Sequence, residues 1–443
     1  MNENTQNIHT QPSAHRFGRL FRKRIYKTAM SPTKTIILGF LSVVLIGGLL
    51  LTLPISSADG KFTDPIDALF TATSSTCVTG LVVRDTATEW SMFGKGVILA
   101  LIQIGGLGFM TVAMLVSALM RRTVTPRERV IFAQSMNLSA YDRLFRFLHH
   151  MLAFTFTFEL AGALLLSFRF IPMFGFWEGL TKSVFHSVSA FCNAGFDTMG
   201  SFSGPYSSLT AFSGDAYVSI IIALLIICGG QGFVVWQNNR RRICEKKRLD
   251  VYSRLVLLIT GLLVVLGTAV IAAAEWNNPE TLGPMPVPEK LLCGFFQSVT
   301  FRTAGFNTID LGAMTGMSKA ASMLLMFIGG SSGSTAGGIK TVTFGLLIIA
   351  AFRVARGNRD VVVMKRRVDT GSLLRALSIT VISLMIICFG AFLISLVDGI
   401  TFEDVLFETF SAFGTVGVTS GVTTQFSYFG KLLLMAMMIF GRV

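Results

Sequence analysis

Four stretches of this 443-residue chain can be laid beneath one another: FTATSSTCVTG (70–80), FHSVSAFCNAG (185–195), FFQSVTFRTAG (295–305) and FETFSAFGTVG (407–417). Each places Phe and Gly ten residues apart. The closing glycines Gly80, Gly195, Gly305 and Gly417 follow one another at 115, 110 and 112 residues, so four units fill the chain. One such match is weak evidence. Four at near-constant period are the mark of internal duplication.

The surroundings of these stretches are membrane-like. Apolar residues make up 52% of the chain and charged residues only 14%, against about a quarter charged in soluble domains. Apolar runs long enough for a ~30 Å hydrocarbon core cover 35–55, 93–120, 148–170, 217–236, 255–274, 320–352 (interrupted) and 373–397, and an eighth starts near Tyr428. A secretory signal does not fit the first run, because a polar and basic segment precedes it and no small-residue cleavage pattern follows. Residues 1–34 read as a cytoplasmic N-terminal segment, of which 1–27, rich in Gln, Asn and Arg with few large apolar residues, are expected to stay disordered or to lie on the membrane surface.

The net charge of +14 is not a nucleic-acid signal. Lys and Arg concentrate at 16–34, 121–146, 240–254 and 353–375, in every second connection between spans. Cytoplasmic connections carry that excess, so the N-terminus is expected inside and the more acidic connections 59–89, 275–289 and 398–408 outside. The basic segments also suit anionic membrane lipid.

Each unit reads as a long span, an outer connection, a short semi-polar segment and a second long span. The short segments cannot cross a bilayer, which predicts a re-entrant helix and turn. Non-helical backbone at that depth must be buried in protein or line a watery cavity. Two spans per unit give all four the same orientation, unlike inverted-repeat transporters. The expected fold is an all-α polytopic membrane protein, with four span–re-entrant pore loop–span repeats in pseudo-fourfold arrangement around one pore. Repeat boundaries fall at 35–122, 123–242, 243–368 and 369–443, and the last repeat is cut short within its second span.

The four turns are Cys77-Val78-Thr79-Gly80, Cys192-Asn193-Ala194-Gly195, Arg302-Thr303-Ala304-Gly305 and Gly414-Thr415-Val416-Gly417. Their side chains share little beyond the final glycine, so any chemistry common to them belongs to the main chain. Rings of carbonyl oxygens from Val78, Thr79, Asn193, Ala194, Thr303, Ala304, Thr415 and Val416 can replace the hydration shell of K⁺. The re-entrant helices aim their negative ends at the same centre. Close helix packing would also use glycine, but these glycines end short segments. Outer acidic residues (Asp67, Asp85, Asp197, Asp310, Glu403, Asp404, Glu408) would concentrate cations, although each alone reads as a solvated charge. Arg302 is expected behind the turn, on helix-end carbonyls or an acidic neighbour. Glu159 is an intramembrane carboxylate and so a functional candidate, with two readings: the buried partner of another polar group, which is favoured, and an ion site.

Glycines also recur in the second spans, at Gly105-Gly106-Leu107-Gly108, Gly229-Gly230-Gln231-Gly232, Gly329-Gly330-Ser331-Ser332 and Gly441-Arg442. The third copy expands to GGSSGSTAGGIKT (329–341), a broken stretch expected to gate the pathway through Gly329, Gly330, Ser331, Ser332, Gly333, Ser334, Thr335, Ala336, Gly337, Gly338 and Lys340. It nearly spells a phosphate-binding loop, but Ile339 spoils the spacing before Lys340 and no strand precedes it. The six cysteines (Cys77, Cys192, Cys228, Cys244, Cys293, Cys388) contain no C-x-x-C and read as free thiols. His149 and His150 are adjacent and face different sides of a helix, so haem and zinc do not fit.

In these motifs the chain resembles the Trk/Ktr/HKT superfamily of cation transporters, and within it the membrane subunit of bacterial Ktr systems (KtrB type). The likeness covers nearly all of 35–443 through VTGL (78–81), QIGGLGF (103–109), NAGF (193–196), RTAGF (302–306), STAGGIK (334–340) and FSAFGTVG (410–417). It implies a K⁺ uptake protein of the cytoplasmic membrane, often with Na⁺ as activator and with no cofactor in this chain. It also implies a homodimer and a cytoplasmic octameric nucleotide-binding ring (KtrA/KtrC type). The family uses the loop matching 329–341 as gate, with an arginine, here Arg442, beneath the filter. Na⁺-preferring plant relatives carry Ser at the first filter glycine; this chain has Gly80. Members continue beyond the position where this sequence stops, at Gly441-Arg442-Val443. Two transport readings stay open: channel-like K⁺ permeation, and a Na⁺/K⁺ or H⁺/K⁺ symporter using the same filter. A membrane enzyme would need clustered His, Cys or carboxylates at one depth, which the sequence does not offer.

Overall fold

The structure is a computed structural model and describes residues 32–108, 111–112, 114–115, 144–246, 248–358, 361–364 and 366–442. The segment 1–31, the far end of the 93–120 run and most of the basic connection after it lie outside the described residues.

Four units follow one another. The first holds α1 (Pro32–Thr52), α2 (Pro65–Cys77) and α3 (Met92–Leu107); the second holds α4 (Leu144–Phe174), α5 (Phe176–Phe191), α6 (Ala216–Gly230) and α7 (Phe233–Glu245). The third holds α8 (Val251–Glu275), α9 (Val287–Thr300), α10 (Gly316–Phe327) and α11 (Thr341–Ala355). The fourth holds α12 (Thr370–Asp398), α13 (Phe402–Gly414) and α14 (Tyr428–Arg442). A two-residue hairpin, β1 (Val362–Val363) with β2 (Arg366–Arg367), links the last two units.

Local sequence sets the helix starts. Asp64 accepts from the Ile66 amide at 2.8 Å, just before Pro65 at the first helical position. Asp250 does the same for Ser253 at 2.9 Å, and Asp369 for Ser372 at 3.1 Å. Each satisfies an amide that the first turn leaves without a helical partner.

Packing between units closes a ring. The second span of each unit lies on the short helix of the next: α3 on α5, α6 on α9, α10 on α13, and α14 back on α2. This is the pseudo-fourfold arrangement about one pore. Phe70, Phe296 and Phe407 are fully buried between these layers. Leu49 on α1, Leu160 on α4, Val265 on α8 and Met385 on α12 point outward and exposed, a surface that only lipid or a partner would cover.

The first spans α1, α4, α8 and α12 are the four described helices long and apolar enough to cross a bilayer. The second spans differ from the continuous runs expected at 93–120 and 217–236. Helix α3 ends at Gly108 (φ +82°), and α6 and α7 meet at 98° around Gly232 (φ +89°). The cause is close packing. Gly105, Gly229 and Gly441 lie directly against the carbonyls of Thr76, Phe191 and Phe413 at the ends of the short helices, where no side chain fits. A glycine in left-handed territory then turns the chain away at little steric cost.

Candidate functional site

The four turns meet at one place. A Cβ built on Gly195 would lie 2.6 Å from Cα of Gly305 and 2.7 Å from the Ala304 oxygen. One built on Gly305 would lie 2.7 Å from both Gly195 Cα and the Val416 oxygen. On Gly417 it would reach Gly80 Cα at 2.7 Å, and on Gly80 it would reach Gly195 Cα at 3.2 Å. The glycines therefore form a closed circle in which each abuts its neighbour's backbone.

The turns also share a conformation. Val78 (φ 58°), Asn193 (61°), Thr303 (68°) and Thr415 (50°) are left-handed, and each is followed two residues later by a left-handed glycine: Gly80 (95°), Gly195 (71°), Gly305 (88°) and Gly417 (91°). Three of the four non-glycine positions are β-branched, for which this region is a genuine outlier. Such strain clusters at functional sites, where the surroundings enforce it.

Hydrogen bonding leaves the carbonyls free. The amides of Thr79, Ala194 and Val416 return to the carbonyls of Ser74, Ser189 and Ser411 at 2.7, 2.7 and 2.8 Å, and the amide of Ala304 returns to Thr300 at 2.9 Å. Among the described residues, no donor reaches the carbonyl oxygens of Val78, Thr79, Asn193, Ala194, Thr303, Ala304, Thr415 or Val416. Eight such acceptors on four buried, converging turns are unusual, because buried carbonyls are nearly always satisfied.

Four hydroxyls that sequence reasoning passed over brace the outer end. Ser74 and Ser411 accept from the amides of Gly80 and Gly417, each at 3.1 Å. Ser189 and Thr300 donate to the carbonyls of Phe196 and Phe306, each at 2.7 Å. The available signal was a serine six residues before the glycine in three of the four aligned stretches. Ser411→Ala strands the buried Gly417 amide. The expected cost is about 1–3 kcal/mol of stability, read as a lower thermal midpoint of the purified protein.

Outside the circle lies a vestibule of about 140 Å³ lined by the four glycines together with Asp85 and Asp197. On the opposite side the segment 328–340 crosses beneath the turns. Its start and end pair through Gly329 and Ile339 at 2.8 Å. Ser331 N–H donates to the Gly230 carbonyl at 3.0 Å, and Phe233 N–H to the Gly333 carbonyl at 2.9 Å. The Thr335 hydroxyl lies 3.2 Å from the Phe191 carbonyl and 3.1 Å from Asn193 Oδ1. Gly337 and Gly338 sit against Thr415 and Gly414 of the fourth unit. Arg442 donates to the carbonyls of Thr335 and Gly105, tying the segment to the first unit as well. Lys340 Nζ donates to the Ala336 carbonyl at 2.9 Å. The segment thus touches the second and fourth units directly below the ring and is linked to the first through Arg442.

A family model described as TrkH, cation transport protein, matches residues 15–443. The chain belongs to the TrkH family. Among curated proteins it is 38% identical to Ktr system potassium uptake protein B of Bacillus subtilis over 416 residues, covering 93% of this chain and 91% of that protein. It is also 38% identical to potassium/sodium uptake protein NtpJ of Enterococcus hirae over 430 residues, covering 96% and 93%. The crystal structure of the potassium transporter TrkH from Vibrio parahaemolyticus shares its fold, with a TM-score of 0.73 at 16% identity over 94% of this chain and 83% of that one.

Other polar residues singled out in this TrkH-family sequence fall in several settings. Arg302 is buried, as expected, but its partner is neither a carbonyl nor an acid: it donates to the Thr341 hydroxyl at 3.2 Å, which in turn donates to the Gly329 carbonyl at 2.8 Å. Of the outer carboxylates, Asp67 pairs with Arg84 at 3.2 Å and Lys431 at 2.7 Å, and Asp404 pairs with Lys319 at 3.1 Å. Asp85 and Glu408 are not solvated. Asp85 accepts from the amides of Ala87, Thr88 and Tyr206. Glu408 is fully buried and accepts from Thr419, Ser420 and Thr423, fixing the connection after the fourth turn. Glu159 is buried against Gln103 and Cys192.

Proposed function

We propose that this chain takes up K⁺ across the cytoplasmic membrane through a selectivity filter made of the four turns. The observation that carries the reading is that eight carbonyl oxygens on four converging turns have no hydrogen-bond donor among the described residues. Carbonyl oxygens held by a strained, braced backbone can replace an ion's water shell. The C-terminal ends of α2, α5, α9 and α13 lead into the turns, and their dipoles favour a cation there. Asp85 and Asp197 in the vestibule raise the local cation concentration.

The segment 329–341 serves as the gate. Its place beneath the ring and the clasp by Arg442 support a closed state in which the segment blocks the path. The remaining assignments follow the family: a homodimer, an N-terminus on the cytoplasmic side, repeat boundaries near 122, 242 and 368, and regulation by a cytoplasmic octameric nucleotide-binding ring. The chain itself needs no cofactor, K⁺ is cargo, and Na⁺ is an activator.

A second reading is coupled Na⁺/K⁺ symport, favoured by the likeness to a potassium/sodium uptake protein. A bacterium lacking its own K⁺ uptake systems tests the first reading. Expression of this chain with a regulatory ring is expected to restore growth at low K⁺, and failure to restore it overturns the assignment. Reversal potentials in proteoliposomes separate the two readings. A potential that tracks the K⁺ gradient alone supports permeation, and a fixed Na⁺:K⁺ ratio replaces it with symport.

A further inference from the structure

Outside the ion pathway, α3, α4 and α5 enclose a groove of about 580 Å³ that opens on the outer face of the helices. That volume lies within the roughly 300–1,000 Å³ of small-molecule sites. The walls are apolar, with Ala100, Phe156, Leu160 and Val188 among them. Gly96 contributes no side chain, and nothing lies within 4 Å of where its Cβ would be. Leu160, 74% exposed, marks the side open to the bilayer.

The floor is polar. Glu159 is only 6% exposed. Its Oε2 accepts from Gln103 Nε2 at 3.2 Å, and its Oε1 lies 3.7 Å from the Cys192 thiol. The thiol is also 3.6 Å from Gln103 Oε1 and can donate to either group. No Lys, Arg or His among the described residues forms an ion pair with this carboxylate. An uncompensated carboxylate is costly in an apolar setting. A cation arriving through the groove would relieve that cost.

The position of Glu159 narrows the class of cation. It lies at the middle of the 31-residue α4, so the charged head of a phospholipid at the membrane surface does not reach it. Only a cation whose body is itself apolar can travel there. We propose that this groove binds a compact lipophilic amine, with its ammonium on Glu159 and its hydrocarbon body along Ala100, Phe156 and Val188. The bound amine sits one contact from Cys192, the first residue of the second turn.

The test uses the full chain in lipid nanodiscs, titrated calorimetrically with 1-aminoadamantane and with its neutral isostere 1-adamantanol against empty nanodiscs. The amine is expected to bind saturably, and the alcohol about tenfold to a hundredfold more weakly, the range for one charge-assisted contact. Glu159→Gln should erase the preference for the amine. Gly96→Leu, whose side chain enters open space, should weaken the amine while leaving the carboxylate in place. Equal binding of amine and alcohol would make this a groove for lipid tails and overturn the proposal. So would the absence of saturable binding, or an unchanged amine affinity in Gly96→Leu.

Discussion

Gly305→Ser is expected to lower the K⁺-over-Na⁺ preference about tenfold, equivalent to about 1.4 kcal/mol. Two effects combine at this residue. Its φ of +88° is one that an L side chain adopts only at a cost of about 1–3 kcal/mol. A Cβ would also stand 2.7 Å from the Val416 oxygen and from Gly195 Cα, so backbone on both neighbouring turns has to move. The Val416 carbonyl belongs to the proposed ion-binding ring, and displacing it alters the fit to K⁺ more than it blocks passage. Bi-ionic reversal potentials in proteoliposomes read the change. Gly399→Ser separates strain from displacement, since Gly399 is also left-handed (φ +70°) but has nothing within 4 Å. That variant should lose stability and keep its selectivity. If Gly305→Ser leaves selectivity intact, main-chain oxygens at this level do not discriminate between the ions.

Arg442→Ala is expected to raise unstimulated K⁺ flux roughly tenfold to a hundredfold. The guanidinium donates to the Thr335 and Gly105 carbonyls, holding the crossing segment against the first unit. Contacts of this charge-assisted kind are worth about 1.5–3 kcal/mol, which converts to that range of closed-to-open ratio. The substitution also removes a positive charge from beneath a cation path. Arg442→Lys keeps the charge but lacks the planar fork that serves two carbonyls at once, so its flux should fall between the two. Deleting 334–336, which removes the hydrogen-bonding Thr335, should act in the same direction as Arg442→Ala. Tracer K⁺ uptake into proteoliposomes without a regulatory partner measures all three. A folded but silent Arg442→Ala protein would make the segment a structural support instead of a gate.

Much of the architecture was legible because it rests on hydrophobic length and on repetition. The glycines at 80, 195, 305 and 417 located the ring with no knowledge of helix packing. The breaks at Gly108 and Gly232 were hidden, since they arise from contact with a short helix of the same or the following unit, seen only once the chain is folded. The left-handed Val78, Thr303 and Thr415 were hidden for a different reason. Their β-branched side chains argue against that conformation, and only the surrounding packing imposes it. The partner of Arg302 was missed because a search for charge or helix ends does not find a hydroxyl 39 residues later. The favoured reading of Glu159 as a buried polar partner fits its bonds to Gln103 and Cys192, but the groove above it is a property of three helices together.

The last join in the circle, Gly417 against Gly80, unites the fourth unit with the first, as does the reach of Arg442 back to Gly105 across 337 positions. A ribosome delivers the opening hairpins to the translocon well before the final one exists. Until 402–442 are in place, the circle lacks its fourth turn. A molecule holding only the first three units has three of the four turns, so ion selectivity at the proposed ring is expected only after the fourth unit has docked.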